Sequence, residues 1–372
     1  MRVIRFLHAS DVHLGKPFGR FPDDVRHRLR QARQDSLETL ASVARSNGAG
    51  HILLAGDTFD AETPSRTVLR HAMNAMAEAE DLTWVILPGN HDHLKASEIW
   101  DVLRKDAPPN VTLALDPAPL RLSEDAVCLP APCTARNPGR DLTEWFDGAA
   151  TGDDIRVGLA HGSIRDFRPV DEMGGESGAV IAPDRAAKAG LDYLGFGDWH
   201  GRIEVSSNTW YSGTPEADSF KPHRAPGALL VEIAGPGAAP AVTEIETGRI
   251  DWIRLALDLL AGDDGAERLR AALPDRKTRS STMIDIQPTG QLGLAAQTDL
   301  AAAIDDIAPD FLWCDHDLSG LAVLHDVTDL DQIDERGAVR DAANTLAEAA
   351  EAGDDIARAA LTRLYAYSVE AK

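Results

Sequence analysis

Several short apolar runs in this sequence are followed at once by side chains that could bind a cation. The first three runs lie in FLHASDVHLG, HILLAGDTFD and TWVILPGNHDH. The polar side chains that follow them are Asp11, His13, Asp57, Asp60, Asn90 and His91. Two later runs, in IRVGLAHGS and LDYLGFGDWHG, end in the same way, with His161 and with Asp198 and His200. Carboxylate oxygens, imidazole nitrogens and an amide oxygen suit divalent cations of intermediate hardness, such as Mn²⁺ or Fe²⁺. The sequence therefore predicts a site for two such cations.

The apolar runs alternate with helical patterns over the first 105 residues. Strands are predicted at 3–7, 51–55 and 83–87, and helices at 24–46, 65–80 and 96–105. Such alternation is typical of βαβ units in a layered α/β domain. In α/β sheets, ligands collect beyond the carboxyl ends of the strands. Residues that are far apart in the sequence can therefore share one crevice.

Beyond residue 111 the pattern changes mostly to strands. Strands that follow one another favour antiparallel pairing, so we expect a mixed sheet or a two-sheet sandwich with helices outside. At 372 residues the chain is long for a single core. We predict a large domain over 1–250, a small α/β domain over 251–330 and helices over 331–372.

The order D-x-H, G-D-x-x-D, G-N-H-D, H-G and G-x-x-H resembles the calcineurin-like metallophosphoesterases. Each piece alone is weak, because a D-V-H after a strand is more often a capped turn. Five pieces in this order, each at a strand end, make coincidence improbable. The resemblance implies a mixed β-sandwich flanked by helices, with a smaller capping domain.

The resemblance also implies a role for each residue. The first metal would be bound by Asp11, His13 and His200, the second by Asn90, His161 and Asp198, and Asp57 would bridge them. His91 would be the general acid or electrostatic stabiliser rather than a ligand, and the Asp60 carboxylate would orient it. Two cations so held would bind the phosphate and lower the pKa of a bridging water.

One position departs from the family pattern. The last motif is usually G-H-x-H, whereas this chain has GDWH, with Asp198 in place of an imidazole. An aspartate ligand would make the second site harder, favouring Mn²⁺ or Mg²⁺ over Zn²⁺. The alternative is that Asp198 leaves the second site weak or empty.

The segments LHASDVHLGKPF, RHRLRQARQDSLETL, HILLAGDTFD and WYSGTPEADSF resemble bacterial SbcD-type DNA repair exonucleases over residues 1 to about 250. This resemblance implies a DNA substrate, an ATPase partner of the structural-maintenance-of-chromosomes (SMC) type and C-terminal helices that dock on it. A homodimer is a further expectation. A more common use of such helices is to pack on their own domain.

Charge gives only partial support to a DNA substrate. The net charge of −23 argues against a wide basic surface, although residues 1–50 are net positive. The candidate DNA contacts are Lys16, Arg20, Arg26, Lys221 and Arg224. The first three lie in a basic stretch that continues to Arg33, and the last two lie in a second basic stretch. Alternatively, Arg26, Arg30 and Arg33 form the solvated face of a helix and pair with acidic side chains.

Two other functions stay open at this point. One is a phosphodiesterase or phosphatase for a small substrate. The other is a scaffold that binds a partner and has lost its second metal site, although a scaffold has no need of a general acid such as His91. The sequence contains no signal-peptide core and no run of eighteen apolar residues, so we expect a cytoplasmic protein that does not enter a membrane.

Overall fold

The structure is a computed structural model that describes residues 3–165, 180–221, 225–324, 333–334 and 336–370. The chain divides into two compact units, with the boundary between Arg249 and Ile250. The short segment Asp218–Phe220 belongs with the second unit.

The first unit contains twelve strands in its described residues. They are β1 (Ile4–Ala9), β2 (His51–Leu54), β3 (Thr83–Ile86), β4 (Val111–Leu113), β5 (Leu120–Ser123), β6 (Ala126–Ala131), β7 (Ile155–His161), β8 (Tyr193–Gly197), β9 (Ile203–Ser206), β10 (Thr209–Tyr211), β11 (Gly227–Ile233) and β12 (Ala241–Glu246). The helices of this unit are α1 (Asp23–Ser46), α2 (Arg66–Ala77), α3 (Ser97–Asp106) and the single turn α4 (Arg185–Lys188).

The strands form two mixed sheets of six strands each. The first has the order β12-β11-β1-β2-β3-β4, and its strands β1 to β4 are parallel. The second has the order β5-β6-β7-β8-β10-β9, and its strands β6, β7 and β8 are parallel. Strands β1, β2 and β3 therefore end at one edge of their sheet, as β7 and β8 do in theirs.

The main core lies between the two sheets. Phe6 and Leu53 from the first sheet pack in one cluster with Leu159 and Tyr193 from the second. Helices α1, α2 and α3 contribute to a second cluster on the other face of the first sheet. This layered mixed α/β architecture confirms the predicted fold class.

Helix α1 shows how the local sequence defines an element. Apolar residues recur at helical spacing from Val25 to Ala44 and are buried. Asp23 and Asp24 lie in the first turn, where negative charge complements the helix dipole. The helix ends before Gly48, whose φ of +65° lies in the left-handed region that glycine tolerates.

The second unit is smaller. Its elements are β13 (Asp251–Leu259), α5 (Gly265–Ala272), β14 (Thr282–Gly293), α6 (Leu294–Ile307), β15 (Trp313–His316), β16 (Leu321–Leu324), α7 (Ala338–Glu351) and α8 (Asp355–Glu370). Strand β14 pairs in parallel with the other three strands. Leu361 and Tyr365 of α8 pack with Leu294 of α6, so the C-terminal helices bury apolar side chains within this unit. None of the helices described is both long and apolar enough to span a bilayer.

Candidate metal centre

The candidate ligands occupy loops that follow the parallel strands, and their backbone is strained. Among the described residues, five that are not glycine have a positive φ. Four of them are candidate ligands: Asp11, His13, Asp57 and Asp198. Such conformations cost roughly 1–3 kcal/mol each and are characteristic of functional sites. The fold therefore stabilises these loops at an energetic cost in order to aim the side chains inward.

Two glycines allow the loops to approach one another closely. A Cβ atom on Gly56 would lie 2.3 Å from Nδ1 of His161, and one on Gly89 would lie 2.2 Å from Oδ1 of Asp57. Neither distance leaves room for a side chain. The glycines of the G-D-x-x-D and G-N-H-D motifs are thus needed for packing around the ligands.

The first group of ligands brings together Asp11, His13 and His200. One ligand atom from each lies within 4.8 Å of the others. The Nε2 atoms of His13 and His200 are 3.2 Å apart, and each is 3.9 Å from Oδ1 of Asp11. Two imidazole nitrogens and a carboxylate oxygen that converge in this way suit one divalent cation.

Asp57 lies between this group and His161. Its Oδ2 atom is 3.7 Å from Nε2 of His13, and its Oδ1 atom is 3.6 Å from Nε2 of His161. The carboxylate is buried and also accepts a hydrogen bond from the backbone amide of His91 at 2.8 Å. Each oxygen therefore faces a different imidazole, as a bridging ligand requires.

The second group of ligands, Asn90, His161 and Asp198, is built differently. Oδ1 of Asp198 lies 3.9 Å from Nε2 of His161 and accepts a hydrogen bond from Nδ2 of Asn90 at 3.1 Å. Oδ2 of Asp198 accepts a hydrogen bond from the Ser163 hydroxyl at 2.8 Å. The Asn90 amide group donates through nitrogen, so its oxygen is left to face a cation. Asp198 and Asn90 thus lie together beside His161, and their role as ligands stays a prediction.

The contact between Asp60 and His91 differs from the expectation. His91 Nδ1 donates a hydrogen bond to the backbone carbonyl oxygen of Asp60, at 2.8 Å. The Asp60 carboxylate lies instead 3.1 Å from Nδ1 of His13. The prediction that this carboxylate orients His91 is therefore wrong, because the chain turns so that the carbonyl faces His91. Asp60 supports both imidazoles, one through its backbone and one through its side chain.

The electrostatics of the site favour a bound cation. Burial alone would lower the pKa of His161, but the carboxylates of Asp57, Asp11 and Asp198 outweigh it and raise the pKa to about 9. Burial lowers the pKa of His13 to about 4, so that imidazole is neutral at pH 7 and free to coordinate. A proton and a metal ion compete for His161 in this negative pocket.

Two buried polar atoms of the second group have no hydrogen-bond partner in the described part of the chain. They are Nε2 of His161 and Oδ1 of Asn90. His161 Nδ1 donates to the Ala55 carbonyl oxygen at 2.8 Å, which leaves Nε2 as the nitrogen that would coordinate. Unpaired buried polar atoms are costly, and a metal ion would satisfy both of these. The residues present therefore fit a pair of divalent cations.

A family model for calcineurin-like phosphoesterases matches residues 4–222. The chain belongs to this family. The match covers more than half of the sequence and includes every candidate ligand, so the superfamily predicted from the motifs is confirmed. Members of the family bind divalent metals, and the phosphoesterase described here carries candidate Asp and His groups for them.

Solved structures give a more distant comparison. The crystal structure of TT1561 of Thermus thermophilus has a TM-score of 0.40 at 11% identity, over 65% of this chain and 99% of that one. GAP50, the anchor in the inner membrane complex of Plasmodium, has a TM-score of 0.41 at 10% identity, over 66% of this chain and 85% of that one. A search of curated proteins returns no match. The two structural likenesses carry no conclusion about activity.

The predicted DNA contacts are spread over different environments. Lys16 is half-buried, close enough to Asp60 for its charge to act on that carboxyl. Arg20 is exposed and stacks on the ring of Phe21, and Lys221 is also exposed. Arg26 forms an ion pair with Asp23 one helical turn away. Arg224 lies outside the described residues. The role of all of them in binding DNA stays a prediction.

Arg33 does not belong to a solvated face. Its side chain is only 2% exposed, and its guanidinium donates hydrogen bonds to the carbonyl oxygens of Val12 at 2.6 Å and Glu216 at 3.2 Å. It thus fixes the loop that carries Asp11 and His13. Helical spacing alone groups Arg33 with Arg26 and Arg30 on one face of the helix. It does not reveal that a loop packs over the part of that face where Arg33 lies.

The motifs gave no role to two side chains that support the candidate ligands. The buried Asp92 carboxylate accepts hydrogen bonds from the amides of Gly89 at 2.6 Å and Phe59 at 3.0 Å, which ties two ligand loops together. Burial, with the Asp57 charge beside it, raises the pKa of Asp92 to about 7. Ser163 holds Asp198 as described above. Both lie within two residues of a candidate ligand, and that proximity is the signal that could have found them.

Proposed function

We propose that this protein is a two-metal phosphodiesterase that acts on DNA, as the nuclease subunit of a DNA repair exo- or endonuclease. The observation that carries the proposal is the position of Asp57 between His13 and His161, with His91 adjacent. DNA as the substrate is supported by the motif segments that resemble SbcD-type exonucleases. The cations are proposed to be Mn²⁺, with Mg²⁺ or Fe²⁺ as alternatives, because the donor set is rich in oxygen.

The metal pair, when bound, would polarise the phosphate and supply a nucleophilic water at neutral pH. The chain's own residues would hold the reacting groups in position. Asp57 holds the two halves of the site together, and the buried His13 and His161 present their Nε2 atoms to it. These groups are positioned before substrate arrives, so little reorganisation is needed during reaction.

His91 is placed to act as the general acid. Its Nδ1–H donates to the Asp60 carbonyl oxygen, so when the ring carries a proton on both nitrogens, Nε2 is the one that would give its proton to the departing oxygen and become neutral. Its ring meets that of His13 edge-on, with centroids 4.9 Å apart, which fixes its orientation beside the first group of ligands. The departing oxygen would therefore lie on that side of the site.

A partner is part of the proposal. An SMC-like ATPase is proposed to bind the second unit, where α8 leaves Ile356 and Tyr367 exposed although its other face is buried. Copurification of the two chains, repeated with Ile356→Ser/Tyr367→Ser, tests this partner. Retained binding by that variant would place the contact elsewhere, and sedimentation of the protein alone tests for a homodimer.

The activity itself is tested with three substrates, which are bis-p-nitrophenyl phosphate, linear single-stranded DNA and linear double-stranded DNA. Each is incubated with Mn²⁺, Mg²⁺ or a chelator and with wild type, His91→Ala or the control His71→Ala, which changes an exposed histidine on α2. We expect DNA hydrolysis that requires Mn²⁺ and His91 and is unaffected in the control. Hydrolysis of the small ester alone would replace the proposal with a small-substrate phosphodiesterase. Absence of all activity would favour the scaffold.

A further inference from the structure

A pocket opens beside the second group of ligands. Its volume is about 180 Å³, and Asn90, His161 and Asp198 form one side of it. The loop after β6 contributes Arg136 and Arg140 to its lining. Pockets that enclose whole drug-sized ligands measure roughly 300–1,000 Å³. This one would therefore hold one part of a larger substrate.

The two arginines place two positive charges in the lining that also contains the second group of candidate ligands. Several exposed arginines elsewhere pair with carboxylates, as Arg45 does with Asp81 and Arg121 with Asp154. Such partners are plentiful, because the chain has 60 acidic residues against 37 lysines and arginines. Arg136 and Arg140 are exposed, and neither has a hydrogen bond or ion pair among the residues that the structure describes. Both guanidinium groups are thus available to an anion.

The rest of the lining is suited to a sugar or base. Leu142, Ala160 and Ile181 give the pocket an apolar wall, and Asn137 adds a polar side chain near the arginines. A guanidinium group matches a phosphate with two parallel hydrogen bonds. The combination of an apolar wall with two guanidinium groups suits a nucleoside that carries a phosphate.

The pocket lies on the side of the metal centre that is away from the general acid. None of its lining residues is Asp11, His13, Asp60, His91 or His200, which form the other side. If the leaving group departs beside His91, the pocket faces the part of the substrate that stays attached to the cleaved phosphate. The inference that follows therefore rests on the proposed function, in which His91 is the general acid.

We infer that this pocket is a subsite for the retained nucleotide of the substrate, with Arg136 and Arg140 binding the next phosphate along the strand. A polynucleotide has such a phosphate, whereas a simple phosphomonoester or a small diester does not. The subsite would select nucleotide chains over small esters. It also adds a local basic contact to a protein whose net charge is strongly negative.

Binding is tested by calorimetry on the Mn²⁺-loaded protein with thymidine 3′,5′-bisphosphate and thymidine 5′-monophosphate. We expect wild type to bind the bisphosphate roughly tenfold more tightly, since one charge-assisted contact is worth about that factor. Arg136→Gln/Arg140→Gln should lose this preference, and Arg136→Lys/Arg140→Lys should keep part of it. Arg70→Gln, which changes an exposed arginine of α2 outside the pocket, should keep it in full. The inference would be wrong if wild type bound the two ligands equally. It would also be wrong if the double Gln variant kept the preference for the bisphosphate.

A kinetic experiment separates this inference from the proposed function. The substrates are the p-nitrophenyl ester of thymidine 5′-phosphate and the same ester with a 3′-phosphate. We expect a roughly tenfold higher kcat/KM for the second, and loss of that ratio in the double Gln variant. If neither ester releases p-nitrophenol, the proposed function fails, while a bisphosphate preference in calorimetry would still support the subsite. Equal kcat/KM for both esters in wild type would contradict the subsite and leave the phosphodiesterase in place.

Discussion

The two halves of the candidate metal centre are held in position by different means. The first group places two imidazoles and a carboxylate around one point, and its members Asp11 and His13 are almost fully buried. In the second group, Asp198 is partly exposed and is held by hydrogen bonds from Asn90 and Ser163. Burial positions Asp11, His13 and, in the second group, His161, whereas hydrogen bonds from Asn90 and Ser163 position Asp198.

This difference predicts which of the two sites binds its cation more tightly. Buried ligands with little freedom lose little conformational entropy when a cation binds. A partly exposed carboxylate such as Asp198, which already accepts two hydrogen bonds, has less to gain from a metal ion. We therefore expect the first site to bind its cation more tightly, and the following substitutions test that expectation from the largest effect to the smallest.

Asp57→Asn should have the largest effect, because it removes the charge that both halves share. Loss of a metal ion forfeits several kcal/mol of transition-state stabilisation, at about 1.36 kcal/mol per tenfold in rate. We expect activity to fall by roughly three orders of magnitude or more, with loss of bound metal measured by elemental analysis. Full metal content would show that Asp57 does not bridge the two sites. The two groups of ligands would then not share its charge.

His91→Ala should reduce turnover about 10²- to 10⁴-fold and leave metal content nearly intact. Its effect should be larger on a nucleotide diester than on a p-nitrophenyl ester, because nitrophenolate departs without a proton. The ratio of the two rates is the measurement. A similar loss on both substrates would argue against a general acid, and loss of metal would make His91 a ligand.

Asp60→Asn should weaken the first site about 10- to 100-fold, the usual cost of losing a partner that supports a metal ligand. The carboxylate faces His13, whereas His91 is held by the backbone carbonyl and should keep its position. Metal titration should therefore show a lower affinity, while kcat at saturating metal changes little. A loss of kcat with unchanged metal affinity would mean that the carboxylate acts on His91 after all.

Asp198→His should shift the preference of the second site from Mn²⁺ towards Zn²⁺, because an imidazole is the softer ligand. A change of roughly tenfold in the ratio of the two affinities is expected from one altered donor. Competition between the two ions, followed by elemental analysis, measures that ratio. An unchanged ratio would show that Asp198 does not coordinate.

Ser163→Ala should have the smallest effect. It removes one hydrogen bond to Asp198, worth about 1 kcal/mol, so the affinity of the second site should fall roughly fivefold. The first site should be unaffected, so a biphasic titration with Mn²⁺ would change only in its weaker phase. A change in the tighter phase would reverse the order of affinities proposed above.

The sequence alone was sufficient to predict most of the longer elements and to propose the set of candidate ligands. Helix α1 was predicted from spacing that is local to the chain, and the structure places its start within one residue of the prediction. The motifs were equally local, because a polar residue after an apolar run is visible without knowledge of its neighbours. The superfamily followed from the order of those motifs.

Only the tertiary structure decided which groups meet. Sheet order brings Asp11 to Asp198 across 187 positions of the chain, and a turn in the chain directs the Asp60 carboxylate to His13. The packing of a loop over α1 buries Arg33, and the loop after β6 brings Arg136 to the second group. Periodicity reports which residues share a face of one element. Contacts between elements depend on long-range packing, and no local pattern in the sequence encodes them.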